Sequence, residues 1–157
     1  MNQARPEMPA QADGPCPQRL AARSRLELTE LILPQHANHY GTLFGPNALA
    51  LLGKAAYLVC ARHTRQPIVM AAAKRIDFLA PVPVGALLNI DARVTRVGRS
   101  SLSVRVVAAV DAAPGARPDD ALRAEFEMVA VDGFGRPCPI SPPPSPQEPA
   151  PAVPISR

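Results

Sequence analysis

From Arg25 the stretch RLELTELIL alternates apolar and polar positions, with Leu26, Leu28 and Leu31 separated by charged or hydroxyl neighbours. That two-residue period is the mark of a half-buried strand, and Pro34, which has no N–H to give a ladder, ends it. A polar loop over residues 35–42 then leads into residues 43–63, which are almost wholly apolar. Ala and Leu dominate this run, Pro46 suits a first helical turn and Asn47 lies beside it, so the pattern predicts a long helix. Only Gly53, Lys54, Arg62 and His63 interrupt its later part, so nearly every face must be covered by protein. A membrane span is the competing reading. Lys54 in the middle, Gly53 beside it and fewer than the roughly 20 apolar residues required all count against it.

After Arg65-Gln66-Pro67 the run IVMAAAKRIDF reads as a strand, and APVPVG turns the chain. ALLNIDARVTRVG and SSLSVRVVAAV are alternating, β-branched runs parted by Gly98-Arg99, which is a hairpin signal. AAPGARPDDA reads as a loop, and ALRAEFEMVAVDG as a last strand ending in a turn at Asp132-Gly133. The order is strand, long helix, then four strands, mostly antiparallel. In a chain this small, a helix apolar all round is buried only if a curved sheet wraps it and a second copy closes the remaining side. The expectation is an α+β fold and at least a dimer.

Composition sharpens the boundaries. The 157 residues suffice for one domain; of the 20 prolines, four fall in residues 1–22 and nine in residues 137–157. Neither end has apolar periodicity, so both are expected to be disordered Pro-rich tails around a domain over residues 23–136. Residues 1–22 contain no apolar run of the kind a signal peptide needs, so the expected location is cytoplasmic. Cys16, Cys60 and Cys138 are odd in number and show no CxxC spacing, which points to neither a disulfide framework nor a metal site. The net charge of +4 suits a phosphate-bearing small ligand or simply a solvated basic surface. Six aromatics without a basic cluster between them argue against nucleic acid.

Four blocks, LPQHANHYGTLFG, RIDFLAPVPVG, RVGRSSLSV and FEMVAVDGFGRP, resemble in content and order the acyl-CoA thioesterases of the hotdog superfamily. The likeness runs over residues 26–139. It implies a hotdog fold, an antiparallel sheet wrapped around one long central helix, assembled as homodimers that commonly group into hexamers. It also implies hydrolysis of acyl-CoA to free acid and coenzyme A, with no cofactor required beyond the coenzyme A of substrate and product. In the family the thioester carbonyl lies at the N-terminus of the central helix, whose unpaired N–H groups stabilise the oxyanion. A loop Asn holds the water, and a helix carboxylate acts as base or nucleophile. Carried over by position, the loop Asn is Asn38, the Gly-Gly before the helix is Gly45-Pro46, the catalytic Asp falls on Gly53 and the Glu after it on Lys54. Gly53 has no side chain to take a proton, and Pro46 has no N–H; the amides of Gly45 and Asn47 remain as oxyanion donors.

Each candidate has a plainer alternative. Asn38 either positions water or the thioester, or braces its own loop. His36 and His39 have the chemistry of a base near neutral pH, but by resemblance they are ordinary loop residues. Asp77 is the nearest carboxylate in an ordered motif and a candidate replacement base; Glu27 and Glu30 lie on the first strand. By resemblance Arg99, Ser100 and Ser101 approach the coenzyme A phosphates, with Lys74 and Arg75 as further candidates, against the alternative of a basic hairpin tip. Cys60 reads as a small core residue. Two functions therefore stand: an acyl-CoA thioester hydrolase weakened by the loss of the helix Asp, or a catalytically silent acyl-CoA-binding or structural subunit. A hydratase or dehydratase of the same fold is a weaker third.

Overall fold

The structure, a computed structural model, describes residues 23–111 and 120–141. The N-terminal tail, the loop AAPGARPD and most of the C-terminal tail lie outside the described residues. In chain order the elements are β1 (Arg25–Leu31), a 3-10 turn (Pro34–His36), α1 (Gly45–Thr64), β2 (Ile68–Phe78), β3 (Leu87–Val97), β4 (Ser101–Val110) and β5 (Asp120–Ala130). The sheet order is β1-β3-β4-β5-β2 and every neighbouring pair is antiparallel. This is the hotdog arrangement that the sequence predicts, one long helix on a five-stranded sheet.

Alternation along the strands decides which face meets the helix. On β5 the side chains of Leu122, Ala124, Phe126, Met128 and Ala130 are buried, and on β4 those of Leu102, Val104, Val106 and Ala108. The intervening Arg105, Arg123, Glu125 and Glu127 make the other face polar. There Asp91 receives Arg25 and Arg93 at 2.8 and 2.7 Å, and Arg105 meets Glu125 at 3.3 Å. α1 lies on the apolar face. Its buried Ala48, Leu52, Ala55, Ala56, Val59, Cys60 and Thr64 recur every three or four residues and so form one stripe. A large apolar side chain buried in that layer, such as Leu52 or Phe126, stabilises the fold by about 1.5–3 kcal/mol. Leu49, Ala50, Lys54 and Tyr57 on the other side of α1 stay exposed, so a single chain covers only part of the apolar helix.

β2 is the edge strand that runs alongside α1, and it is irregular. Its pairing with β5 shifts register between Met70 and Ala72 and again between Ala73 and Arg75. Each shift inserts one residue and re-aims the side chains beyond it. As a result Met70, Ala73, Ile76 and Phe78 stand opposite inward-facing Met128, Phe126, Ala124 and Leu122, while Ala72, Arg75 and Asp77 stand opposite outward-facing Glu127, Glu125 and Arg123. Two helix glycines meet the inward set. A Cβ at Gly45 would lie 3.7 Å from the Phe78 ring, and one at Gly53 would lie 2.9 Å from the Met70 methyl.

The helix ends at Arg65, whose φ of 56° places it in the left-handed cap conformation. Beyond it Gln66 clamps the chain after β5: Nε2 donates to the Pro139 carbonyl at 3.2 Å and Oε1 accepts the Ser141 N–H at 3.0 Å. Cys138 and Ile140 pack against the core. A side-chain amide and two apolar contacts thus hold residues 138–141 against the domain.

Candidate active site

The loop before α1 is held from both sides. Leu43 N–H donates to the Val82 carbonyl at 2.7 Å, Phe44 N–H to the His36 carbonyl at 2.9 Å, and Asn47 Nδ2 to that same carbonyl at 3.1 Å. Within the loop, Asn38 Oδ1 accepts the N–H of Tyr40 at 2.9 Å and of Thr42 at 3.3 Å, while its Nδ2 donates to Thr42 Oγ1 at 3.1 Å. This is the Asx-type turn that suits Asn; the carboxamide oxygen is engaged by the loop, and one of the two amide protons is used. His36 Nδ1 accepts the Leu33 N–H at 3.3 Å, and His39 lies against the Tyr40 ring, centroids 3.9 Å apart. These side chains shape the loop.

The start of α1 is open. Phe44 at the N-cap supplies no side-chain cap, no acidic residue stands in the first turn, and Pro46 brings no N–H. Ala48 N–H already donates to the Phe44 carbonyl at 2.9 Å. The N–H groups of Gly45 and Asn47 have no hydrogen-bond partner among the described residues. Two free donors at the positive end of the helix dipole are suited to a developing negative oxygen. Beside them an apolar cavity of about 210 Å³ is lined by Leu43, Ala48, Phe78, Pro81, Val82 and Leu122.

Acidic groups are engaged elsewhere. Lys54 pairs with Glu30 on β1, and Glu27 with Arg25. Asp77 lies on the outward face of the sheet, where its carboxylate accepts the Arg75 Nε–H at 2.8 Å in a recess also lined by Arg105 and Arg123. The helix is on the opposite face, so one chain does not bring Asp77 to Asn38. Lys74 is likewise paired, with Glu127 at 2.7 Å, and with Ser103 it holds that carboxyl below its ordinary value. Arg99 makes no ion pair among the described residues. Its carbonyl accepts the Ile140 N–H at 2.8 Å, and the Ser100 carbonyl accepts the Ala130 N–H at 2.9 Å. That fixes the Arg99–Ser101 hairpin tip beside Ala130. Phe78, which packs at Gly45, pairs with Leu122 at the other end of β5; the two ends are roughly 26 Å apart along the strand. In one chain, then, the helix N-terminus and the hairpin are far apart. Cys60 is fully buried, and burial pushes its thiol up to about 12. Among the described residues no His, Cys, Asp and Glu cluster can hold a metal, and no helix is long and apolar enough to cross a membrane.

One long helix with an open N-terminus on a five-stranded antiparallel sheet defines a protein of the hotdog class. Residues 40–109 match the model of the Thioesterase superfamily. The chain is 34% identical over 123 residues to an uncharacterized acyl-CoA thioester hydrolase of Zymomonas mobilis, covering 78% of this chain and 83% of that one. Its structure is similar to the acyl-CoA hydrolase of Staphylococcus aureus in complex with butyryl coenzyme A, coenzyme A and coenzyme A disulfide (TM-score 0.73, 28% identity, 82% of this chain and 77% of that one). It is also similar to an apo-hexameric acyl-CoA thioesterase (TM-score 0.72, 34% identity, 82% of this chain and 81% of that one). The chain belongs to the thioesterase superfamily.

Met70 and Phe78 escape a reading of the sequence because nothing in the run IVMAAAKRIDF says which of its two faces meets the helix. The only local hint is a glycine within a helix of Ala and Leu, which implies a large neighbour close by.

Proposed function

We propose that this chain hydrolyses acyl-CoA thioesters. The observation that carries the reading is the pair of free N–H groups, Gly45 and Asn47, beside the Asn38 loop in a fold shared with acyl-CoA hydrolases. The thioester carbonyl oxygen accepts from both donors, water adds to the carbonyl carbon, the C–S bond breaks, and a proton passes to the departing sulfur. Free acid and coenzyme A are the products, and the reaction needs no other cofactor. The unused amide proton of Asn38 orients the water or the thioester. Arg99, with Ser100 and Ser101, meets the coenzyme A phosphates, since Lys74 and Arg75 are already neutralised by Glu127 and Asp77. A cytoplasmic location suits such a substrate.

The same reading makes the working unit at least a dimer. β2 is a long edge strand with exposed Val69, Met70 and three alanines, whereas β1, the other edge, is shorter and carries Arg25 and Glu27. The uncharged half of β2, ahead of Lys74, Arg75 and Asp77, is the edge stretch most open to pairing. Antiparallel pairing of two β2 strands about a two-fold axis sets the Ile68 end of one, next to its hairpin tip, beside the Phe78 end of the other, next to its helix N-terminus. A complete site then takes Asn38, Gly45 and Asn47 from one protomer and Arg99 from its partner. Grouping of such dimers into a hexamer draws support from the hexameric thioesterase of similar fold.

Structures of the S. aureus enzyme include versions with an asparagine, an aspartate or a threonine replaced by alanine; the aspartate follows the asparagine by fifteen positions and the threonine by thirty-two. Counted from Asn38, the same spacings reach Gly53 and Met70. Hydrolysis here thus proceeds without a side-chain carboxylate at the helix position.

Thiol release from butyryl-CoA and longer acyl-CoAs tests the proposal. The wild type is expected to exceed the buffer rate. Asn38→Asp keeps the oxygen that the loop needs and removes the amide protons, so it should fold as the wild type does yet lose about tenfold or more in rate. Asn38→Ala should lose both activity and about 1 kcal/mol of stability. A wild type no faster than buffer with every acyl chain sinks the reading.

A further inference from the structure

Gly53 and Met70 touch across the interface between α1 and β2: a Cβ at 53 would lie 2.9 Å from the Met70 methyl. Gly53 is buried, and Met70 faces it because it stands opposite inward-facing Met128 before the first register shift in β2. A thioether therefore fills the space into which any side chain at 53 would project. Neither residue alone explains the other. A glycine inside a helix is unfavourable unless something occupies the place of its side chain, and a methionine aimed at a helix needs a gap to fill, a task its flexible chain suits.

We propose that Gly53 and Met70 are one coupled unit, in which an apolar contact replaces a polar pair and sets the hydrolytic rate of this chain low. Resting as it does on the acyl-CoA reading above, the proposal assigns Met70 as a positioning residue: it decides whether a carboxylate at 53 has a polar partner and room for water, or a methyl group pressed against it. Because the methionine tip is the far end of a flexible side chain, a substitution at 53 displaces it without unfolding the protein. A carboxylate introduced alone then meets a thioether that offers no hydrogen bond. With threonine at 70 it gains a hydroxyl partner and an opening for the water whose proton it would take.

Four full-length proteins read the coupling through thiol release from butyryl-CoA: wild type, Gly53→Asp, Met70→Thr and Gly53→Asp/Met70→Thr. The double variant is expected to exceed the wild type about tenfold or more, and to exceed the product of the two single effects. Its rate should rise with pH through a carboxylate titration that Gly53→Asn/Met70→Thr lacks, and this amide control should fall short of the carboxylate double about tenfold or more. Gly53→Asp alone reaching the rate of the double overturns the role of Met70. A double no faster than the wild type, in a protein that does release thiol, overturns the assignment of position 53. A second measurement does not depend on the substrate. Helical Gly→Ala ordinarily stabilises, so Gly53→Ala should raise the urea midpoint more in a Met70→Ala background than with Met70 present. An equal rise in both backgrounds overturns the contact itself. If none of the proteins releases thiol while the midpoints still show the coupling, the acyl-CoA reading has failed and the pairing stands.

Discussion

Cys60 lies in the buried stripe of α1, and burial alone accounts for a thiol pushed up to about 12. At pH 8 only about one molecule in ten thousand then carries the thiolate, the form that attacks disulfide reagents. With Cys16 and Cys138 replaced by serine, the folded protein is expected to leave Ellman's reagent uncoloured, and full reaction should appear only on adding urea. Rapid colour without urea would show the thiol to be open to solvent. At this scale the linear chain is a good guide wherever a residue acts on its own turn: Asn38 braces its loop and Pro46 stands at the start of the helix. Contacts across elements are another matter. Nothing in the order of residues pairs Lys54 with Glu30, or sets the Met70 methyl against Gly53.

At the scale of elements, apolar and alternating runs between turn residues located the five strands, and a run of Ala and Leu opened by Pro46 located the helix. Only faces and ends went unread. Between the two register shifts in β2 the inward and outward positions swap, and beyond the second they are restored; Asp77 lies on the outward face beside Arg75. That face carries its own energetics. Asp91 accepts hydrogen bonds from Arg93 and Arg25, and these hold its carboxyl below the ordinary value. A carboxyl lowered by folding stabilises the native state fully above its unfolded value, near 3.9, and loses that contribution as pH falls through the lowered one. Asp91→Asn should therefore be less stable than the wild type at pH 7, with the difference in urea midpoint shrinking below about pH 4. A difference that stayed constant down to pH 2 would mean that the charge of Asp91 contributes nothing and only its shape matters.

The whole molecule poses the question of what one chain lacks. The helix N-terminus and the Arg99 hairpin occupy opposite ends of the same sheet, while Leu49 and Tyr57 of α1 and the alanine edge of β2 stay uncovered. The proposed two-fold dimer joined through β2 would account for both facts, each site drawing its oxyanion donors from one protomer and its phosphate contact from the other. This has a consequence that no single-chain site shares. Asn38→Ala and Arg99→Ala each impair both sites of their own homodimer. When the two inactive proteins are unfolded together and refolded as a mixture, half of the dimers are mixed. In each of these, one site carries both substitutions and the other carries neither. Thiol release should recover to about a quarter of the wild-type rate, although neither parent shows it. Ala72→Pro and Ala73→Pro, neighbours of which one directs its N–H toward the free edge, supply the control. The variant that removes the outward donor should be monomeric by light scattering, and introducing it into both parents should abolish the recovery. Parents that regain nothing on mixing, while remaining dimeric, would place Asn38 and Arg99 in sites that a single protomer completes.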